Sequence, residues 1–260
     1  TFNRSAYHGV DPDLPGQIDA AAGAGFRLFG PDVFSLDAWV AAGREVEELA
    51  DQLAARDMRR WEIAALDVGE HQRTLTDARH LAAHAAVLHP PWILTNIGAP
   101  MDAALADTFA AVCDILGETG CRPAIEYLPF TPCDRIAAAQ SLVDRVGTQR
   151  AGILLDSWHH FRGPDTDADL DALPGDYVAY LQFDDARPVE SDDLVAETLH
   201  RRVFPGDGEF DLDGWSRRIR AKGFDGVVSV EVLSAEWRDR AGDADTREFA
   251  NRAYSAASRF

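Results

Sequence analysis

Basic residues are scarce in this 260-residue chain: 25 Lys and Arg stand against 44 Asp and Glu, a formal net charge of −19. That excess repels polyphosphate backbones and anionic bilayers, so neither nucleic acid nor a membrane surface is an expected partner. Cysteine is scarcer still. Cys113, Cys121 and Cys133 form an odd set with no C-x-x-C pair, which offers neither a disulfide framework nor a zinc knuckle and fits a reducing cytoplasm. No apolar run approaches the roughly eighteen residues of a membrane span, and the opening TFNRSAYHG carries no apolar signal region. With no Gly/Ser/Pro linker and no low-complexity tract, residues 1–260 are expected to form one domain. No glycine-rich nucleotide fingerprint is present, so no organic cofactor is expected.

What is present is 46% hydrophobic residues and a repeated alternation of short β-rich runs with Ala/Leu-rich segments of helical period. Strands are predicted at 4–8, 26–29, 61–68, 92–97, 123–128, 152–159, 178–184 and 227–233. Helices are predicted at 17–22, 39–56, 76–88, 103–119, 134–146, 167–173, 212–222 and 246–258. Eight βα units in a chain of this length predict an α/β fold, a (β/α)8 TIM barrel. Gly25, Gly120 and Gly223 each follow a predicted helix, where a left-handed cap belongs. Residues 187–210 form the one long irregular stretch, expected to be a lid or binding loop.

Interior barrel strands should be apolar, yet four late strands each carry an oxygen donor near the C-terminal end: Glu126, Asp156, Gln182 and Glu231. That end of the strands is where barrel enzymes do chemistry. Three carboxylates buried together need a counter-ion, and a divalent cation supplies one. An all-oxygen set predicts Mn²⁺ or Mg²⁺, with Zn²⁺ or Co²⁺ left open. His80 and His84 also have metal-ligand spacing, but no Glu completes a zincin pattern, and they are expected on an outer helix face. Trp158, Phe130 and Tyr127 are expected to pack in the core, His160 to be a loop histidine, and PGDGEF to form a tight turn.

The segments AIEYLPF, GILLDSWHHFRG, YLQFDDA, RRVFPGDGEF and KGFDGVVSVEVLS resemble the xylose-isomerase-like TIM barrel superfamily, the sugar phosphate isomerases/epimerases. The D-x-x-H step from Asp156 to His159 and the R-x-x-P-G-x-G step from Arg202 to Gly208 carry the likeness. Where that superfamily usually has His in an H-x-x-D step, this chain has Gln182 ahead of Asp185, which resembles the dehydratase-like branch, as in 3-dehydroshikimate dehydratases. The resemblance implies a divalent-metal-dependent sugar (phosphate) isomerase or epimerase working through an enediol. A metal-dependent dehydratase of a cyclic keto-polyol, such as 3-dehydroshikimate or an inosose, is the alternative; a non-catalytic polyol-binding barrel is another. It further implies that Glu126 and Glu231 hold metal and move protons, and that Asp156 and Gln182 are ligands. His159 would hydrogen-bond a substrate oxygen or act as general acid, and Arg202 would clamp a carboxylate, phosphate or enolate oxygen. A small sugar or keto-polyol is the implied partner, with a homo-oligomer left open. A DNA-repair endonuclease on the same barrel would need a His-rich mouth and a basic groove, which this chain lacks.

Overall fold

In the computed structural model, which describes residues 13–238, 240 and 242–260, parallel strands and helices alternate along the chain. A six-stranded parallel ladder runs in the order β3 (Glu62–Val68), β4 (Trp92–Ile97), β5 (Arg122–Glu126), β6 (Gly152–Asp156), β7 (Val178–Phe183), β10 (Val228–Val230). The parallel pair β1 (Leu28–Phe29) and β2 (Arg59–Arg60), with a parallel bridge from Asp32 to Ala64, carries the curled sheet past β3. The fold is a TIM barrel. The strand expected over 4–8 lies outside the described residues.

Outside the sheet lie α1 (Leu14–Ala24), α2 (Val33–Ala41), α3 (Val46–Ala54), α4 (His71–Leu88), α5 (Ala103–Gly117) and α6 (Ile136–Val146). They are followed by α7 (Ser157–Arg162), α8 (Asp167–Ala172), α9 (Leu194–His200), α10 (Leu212–Ala221), α11 (Ala235–Arg238) and α12 (Asp243–Ala257). The forces that set them are legible in α10. Asp211 caps it by accepting from Gly214 N, worth about 1 kcal/mol. Leu212, Trp215 and Ile219 share its buried face, and Arg218 and Arg220 suit the negative end of its dipole.

Side-chain alternation divides the apolar residues into two layers. Ile93, Ile125, Ile153, Leu155, Leu181 and Val230 face outward into the layer shared with the helices. Trp92, Leu94, Ala124, Leu154 and Tyr180 face inward and fill the barrel. Below the mouth the Tyr180 hydroxyl donates to the buried carboxylate of Glu62, which burial pushes upward in pKa. A Cβ on Gly30 would come within 2.6 Å of the Glu62 Cγ, so only glycine leaves room for that side chain.

The register along the ladder is staggered. Glu126 pairs with Leu154 rather than Asp156, Asp156 pairs with Gln182, and Gln182 pairs with Ser229, two residues before Glu231. Such a stagger is that of a tilted, curled sheet, which brings residues of different register to one height.

Three expectations need correction. The helix expected over 39–56 is two, α2 and α3, because Gly43 takes φ +79° and Glu45 and Glu48 form a capping box that starts a new helix. The strand expected over 152–159 stops at Asp156, whose carboxylate accepts from His159 N at 3.0 Å and so caps α7. Residues 187–210 are not irregular throughout: they contain α9 and β9 (Arg202–Val203), which pairs antiparallel with β8 (Asp185–Ala186).

Candidate active site

The staggered register puts Glu126, Asp156, Gln182 and Glu231 together at the C-terminal mouth of the barrel. A cavity of about 300 Å³ opens there, and Glu126, Glu231, His159 and Arg202 line it. Asp156 and Gln182 are fully buried behind them. Phe130, expected in the core, is instead exposed on the cavity rim with Phe34 and Val195. Trp158 and Tyr127 are buried as expected. His160, expected in a loop, lies buried in α7 beside Trp215, its Nδ1 without a hydrogen-bond partner.

Gln182 makes the donor set informative. One end of its amide lies 2.9 Å from Glu126 Oε1 and 3.2 Å from Asp156 Oδ2, and the other lies 3.4 Å from Glu231 Oε1. Whichever way the amide is turned, its carbonyl oxygen faces a carboxylate oxygen, a repulsive contact unless a proton or a cation lies between them. A cation among these four donors removes that conflict, so the residues present fit a divalent ion. His159 adds a nitrogen: with Glu126 and Asp156 it forms a buried group whose ligand atoms all lie within 4.8 Å of one another.

Arg202 lies inside this cluster, 2% exposed. Its Nη1 donates to Asp156 Oδ2 at 2.9 Å, to Asp184, and to Glu231 Oε2 at 3.3 Å, while Nη2 donates to Thr198 Oγ1 at 2.7 Å. Asp184 and Thr198 were not among the expected residues. The step from Gln182 to Asp185 marks the neighbouring carboxylate, which does something else. Asp185 accepts from the backbone N–H groups of Gly206, Gly208 and Phe210 and so holds the loop that follows Arg202. A Cβ on Gly208 would collide with that carboxylate, which is why the turn is glycine-rich.

Three carboxylates thus bond one guanidinium, and Glu126 adds a fourth negative charge nearby. Burial, with Asp156 alongside, pushes Glu126 up to about 8. Burial does the same to Glu231, against the pull of Arg202. Burial also raises Asp184, Arg202 opposing it. For Arg202 itself burial works against the charge, but its carboxylates hold the guanidinium well above its ordinary value. Burial lowers His159 to about 4, so its imidazole is neutral near pH 7. A neutral ring suits hydrogen bonding to substrate better than proton donation.

The sequence model of the xylose isomerase-like TIM barrel family matches residues 18–252. The chain belongs to that family. It is 27% identical over 239 residues to a 3-dehydroshikimate dehydratase of Pseudomonas aeruginosa, a match covering 86% of this chain and 37% of that protein. It is 29% identical over 134 residues to an inosose isomerase of Bacillus subtilis, covering 50% of this chain and 47% of the relative. The chain therefore spans less than half the length of these two curated relatives, both of them named enzymes. A crystal structure of IolI with a zinc atom superimposes with a TM-score of 0.87 at 17% identity, covering 99% of this chain and 96% of the other.

In this xylose isomerase-like barrel the raised carboxylates make stability depend on pH. Glu126 and Glu231 rise from 4.5 to about 8 in the folded, metal-free chain, so between those values the native state holds protons that the unfolded chain has released. Metal-free stability should therefore fall as pH rises through that window, and a bound ion should take the place of the protons. After chelation, the thermal midpoint is expected to be higher near pH 5.5 than near pH 8, with added Mn²⁺ raising it most at the upper end. A metal increment that is the same at both would contradict the proton–metal exchange.

Proposed function

We propose that this chain is the catalytic barrel of a divalent-metal-dependent enzyme that removes the proton beside the ketone of a small polyhydroxylated substrate. The observation that carries this reading is the pair Glu126 and Glu231: both reach the cavity, with Gln182 and Asp156 converging behind them. Glu126, Asp156, Gln182 and Glu231 would hold the ion, the oxygen set favouring Mn²⁺ or Mg²⁺; the nearby His159 and the zinc-containing IolI neighbour keep Zn²⁺ and Co²⁺ in the test. When bound, the ion supplies Lewis acidity that stabilises negative charge developing on a substrate oxygen.

The chain's own residues do the rest. One of Glu126 and Glu231 takes the proton and the other, on a separate strand, stands ready to return one. His159, neutral, hydrogen-bonds a substrate oxygen. Arg202 holds Asp156 and Glu231 in place and adds positive charge to the cavity wall. Return of the proton to a different carbon or face gives isomerisation or epimerisation. Loss of a β-hydroxyl gives dehydration, which is the second reading. Two points favour dehydration: Gln182 resembles the dehydratase-like branch at this strand end, and the dehydratase similarity runs over 86% of the chain.

The test is a screen of linear and cyclic keto-polyols in heavy water, dehydroshikimate and inososes included, with and without Mn²⁺. Deuterium incorporation next to the ketone that requires the metal is expected, and the product identifies the outcome. Saturable binding of these compounds with neither exchange nor turnover would make the chain a polyol-binding barrel instead.

A further inference from the structure

Outside the lining of the cavity, the structure completes a cluster that the sequence left as a pair. His80 and His84 lie one turn apart on α4, and α2 brings Asp37 against them. Their Nε2 atoms lie 2.7 and 3.1 Å from the same oxygen, Asp37 Oδ1. All three ligand atoms lie within 4.8 Å of one another. We propose that Asp37, His80 and His84 form a second metal site, one that takes Zn²⁺ and ties α2 to α4.

The geometry is near what zinc requires. With bonds of about 2.0–2.2 Å, ligand atoms of a tetrahedral site stand about 3.3 Å apart. The contacts here are shorter by a few tenths of an ångström. Opening them falls to His80 and Asp37, whose side chains are 51% and 46% exposed and free to shift. His84, at 9%, is the fixed post. Without metal, each Nε2–H donates to the one carboxylate oxygen; with an ion, each imidazole would carry its proton on Nδ1 and offer Nε2 as the ligand. The fourth position faces solvent and would take water. Two imidazoles and one carboxylate favour a borderline transition ion over Mg²⁺ or Mn²⁺, the reverse of the oxygen-rich barrel mouth.

The site has a consequence for the cavity. Asp32 caps α2 by accepting from Ser35 N at 2.9 Å, and Asp32 and Phe34 line the cavity wall. An ion on Asp37, a turn further along α2, would fix that wall to the outer helix layer. Its role is that of a strut, since no ligand of this cluster lines the cavity.

Zinc stoichiometry measured on the full chain by calorimetry, and by elemental analysis after gel filtration, tests this. Wild type is expected to bind two zinc ions, and His80→Ala and Asp37→Asn one each; both substitutions are at half-exposed positions that leave the core intact. At a hundredfold excess over Kd, zinc should raise the wild-type thermal midpoint about 5–10 °C more than that of either variant. If both variants bind as many zinc ions as wild type with the same affinity, the site does not exist. Glu126→Ala should lose the other ion, so failure of the barrel reading would be seen in a different variant from failure of this one.

Discussion

Glu231→Gln should reduce proton exchange at the substrate carbon by about 10²- to 10⁴-fold while leaving the ion bound. The amide keeps an oxygen donor where the carboxylate stood but has no basicity. Glu231 is suited to the role: it lines the cavity, and its side chain, 13% exposed, is the most open of those bonded to Arg202. Exchange and metal content should be measured on the same preparation at saturating metal. If both fall together, Glu231 is a ligand only. If a competent substrate turns over with its hydrogen fully retained by transfer between carbons, a hydride shift operates and the proton-transfer scheme is wrong. The same substitution removes one surplus negative charge, so the metal-free variant should be more stable than wild type near pH 8, a gain in stability coupled to a loss of function.

Arg202→Met should cost about 3–5 kcal/mol of stability, because it leaves Asp156, Asp184 and Glu231 without their buried cation. For a chain of this size each kcal/mol moves the thermal midpoint by roughly 2–4 °C, so a fall of about 6–20 °C is expected. Saturating metal or mild acid, either of which offsets the uncompensated charge, should recover part of it. Arg201 is the internal control. It is part-exposed and pairs with the exposed Glu190 and with Glu197, which is buried but also accepts from Glu190 N, so Arg201→Ala should cost less, about 1–2 kcal/mol. Equal effects at the two positions would mean that the buried cluster is not held by Arg202.

These two arginines show how far a sequence can be read. The strand-end donors were legible because inward-facing polar residues break an otherwise apolar period, and Glu126 and Asp156 each close a strand. Asp184 carried the same signal: two residues beyond Gln182, it shares its face, but the adjacent Asp185 fits the family spacing and drew attention away. Thr198 was hidden because α9 has only seven residues, too few for a helical period to stand out from a loop. The break between α2 and α3 was marked only by Gly43 within a long apolar-periodic run. Asp37 had no signal at all. Its meeting with His80 and His84 depends on how two outer helices pack, and nothing in the spacing of residues 37, 80 and 84 records that.

The staggered ladder also limits how the barrel mouth can be altered. Because side chains alternate, inserting or deleting one residue in β6 or β10 would turn the donor out into the layer where Ile153 and Leu155 pack. Along the backbone, a donor can be raised or lowered only by two residues at once, about 6.6 Å. Side-chain length is the finer adjustment: exchanging Asp for Glu moves a carboxylate by one C–C bond, about 1.5 Å. Anyone redesigning this mouth for a larger or smaller ion therefore has a coarse control that overshoots any ionic radius and a fine one in the choice of acid at position 156.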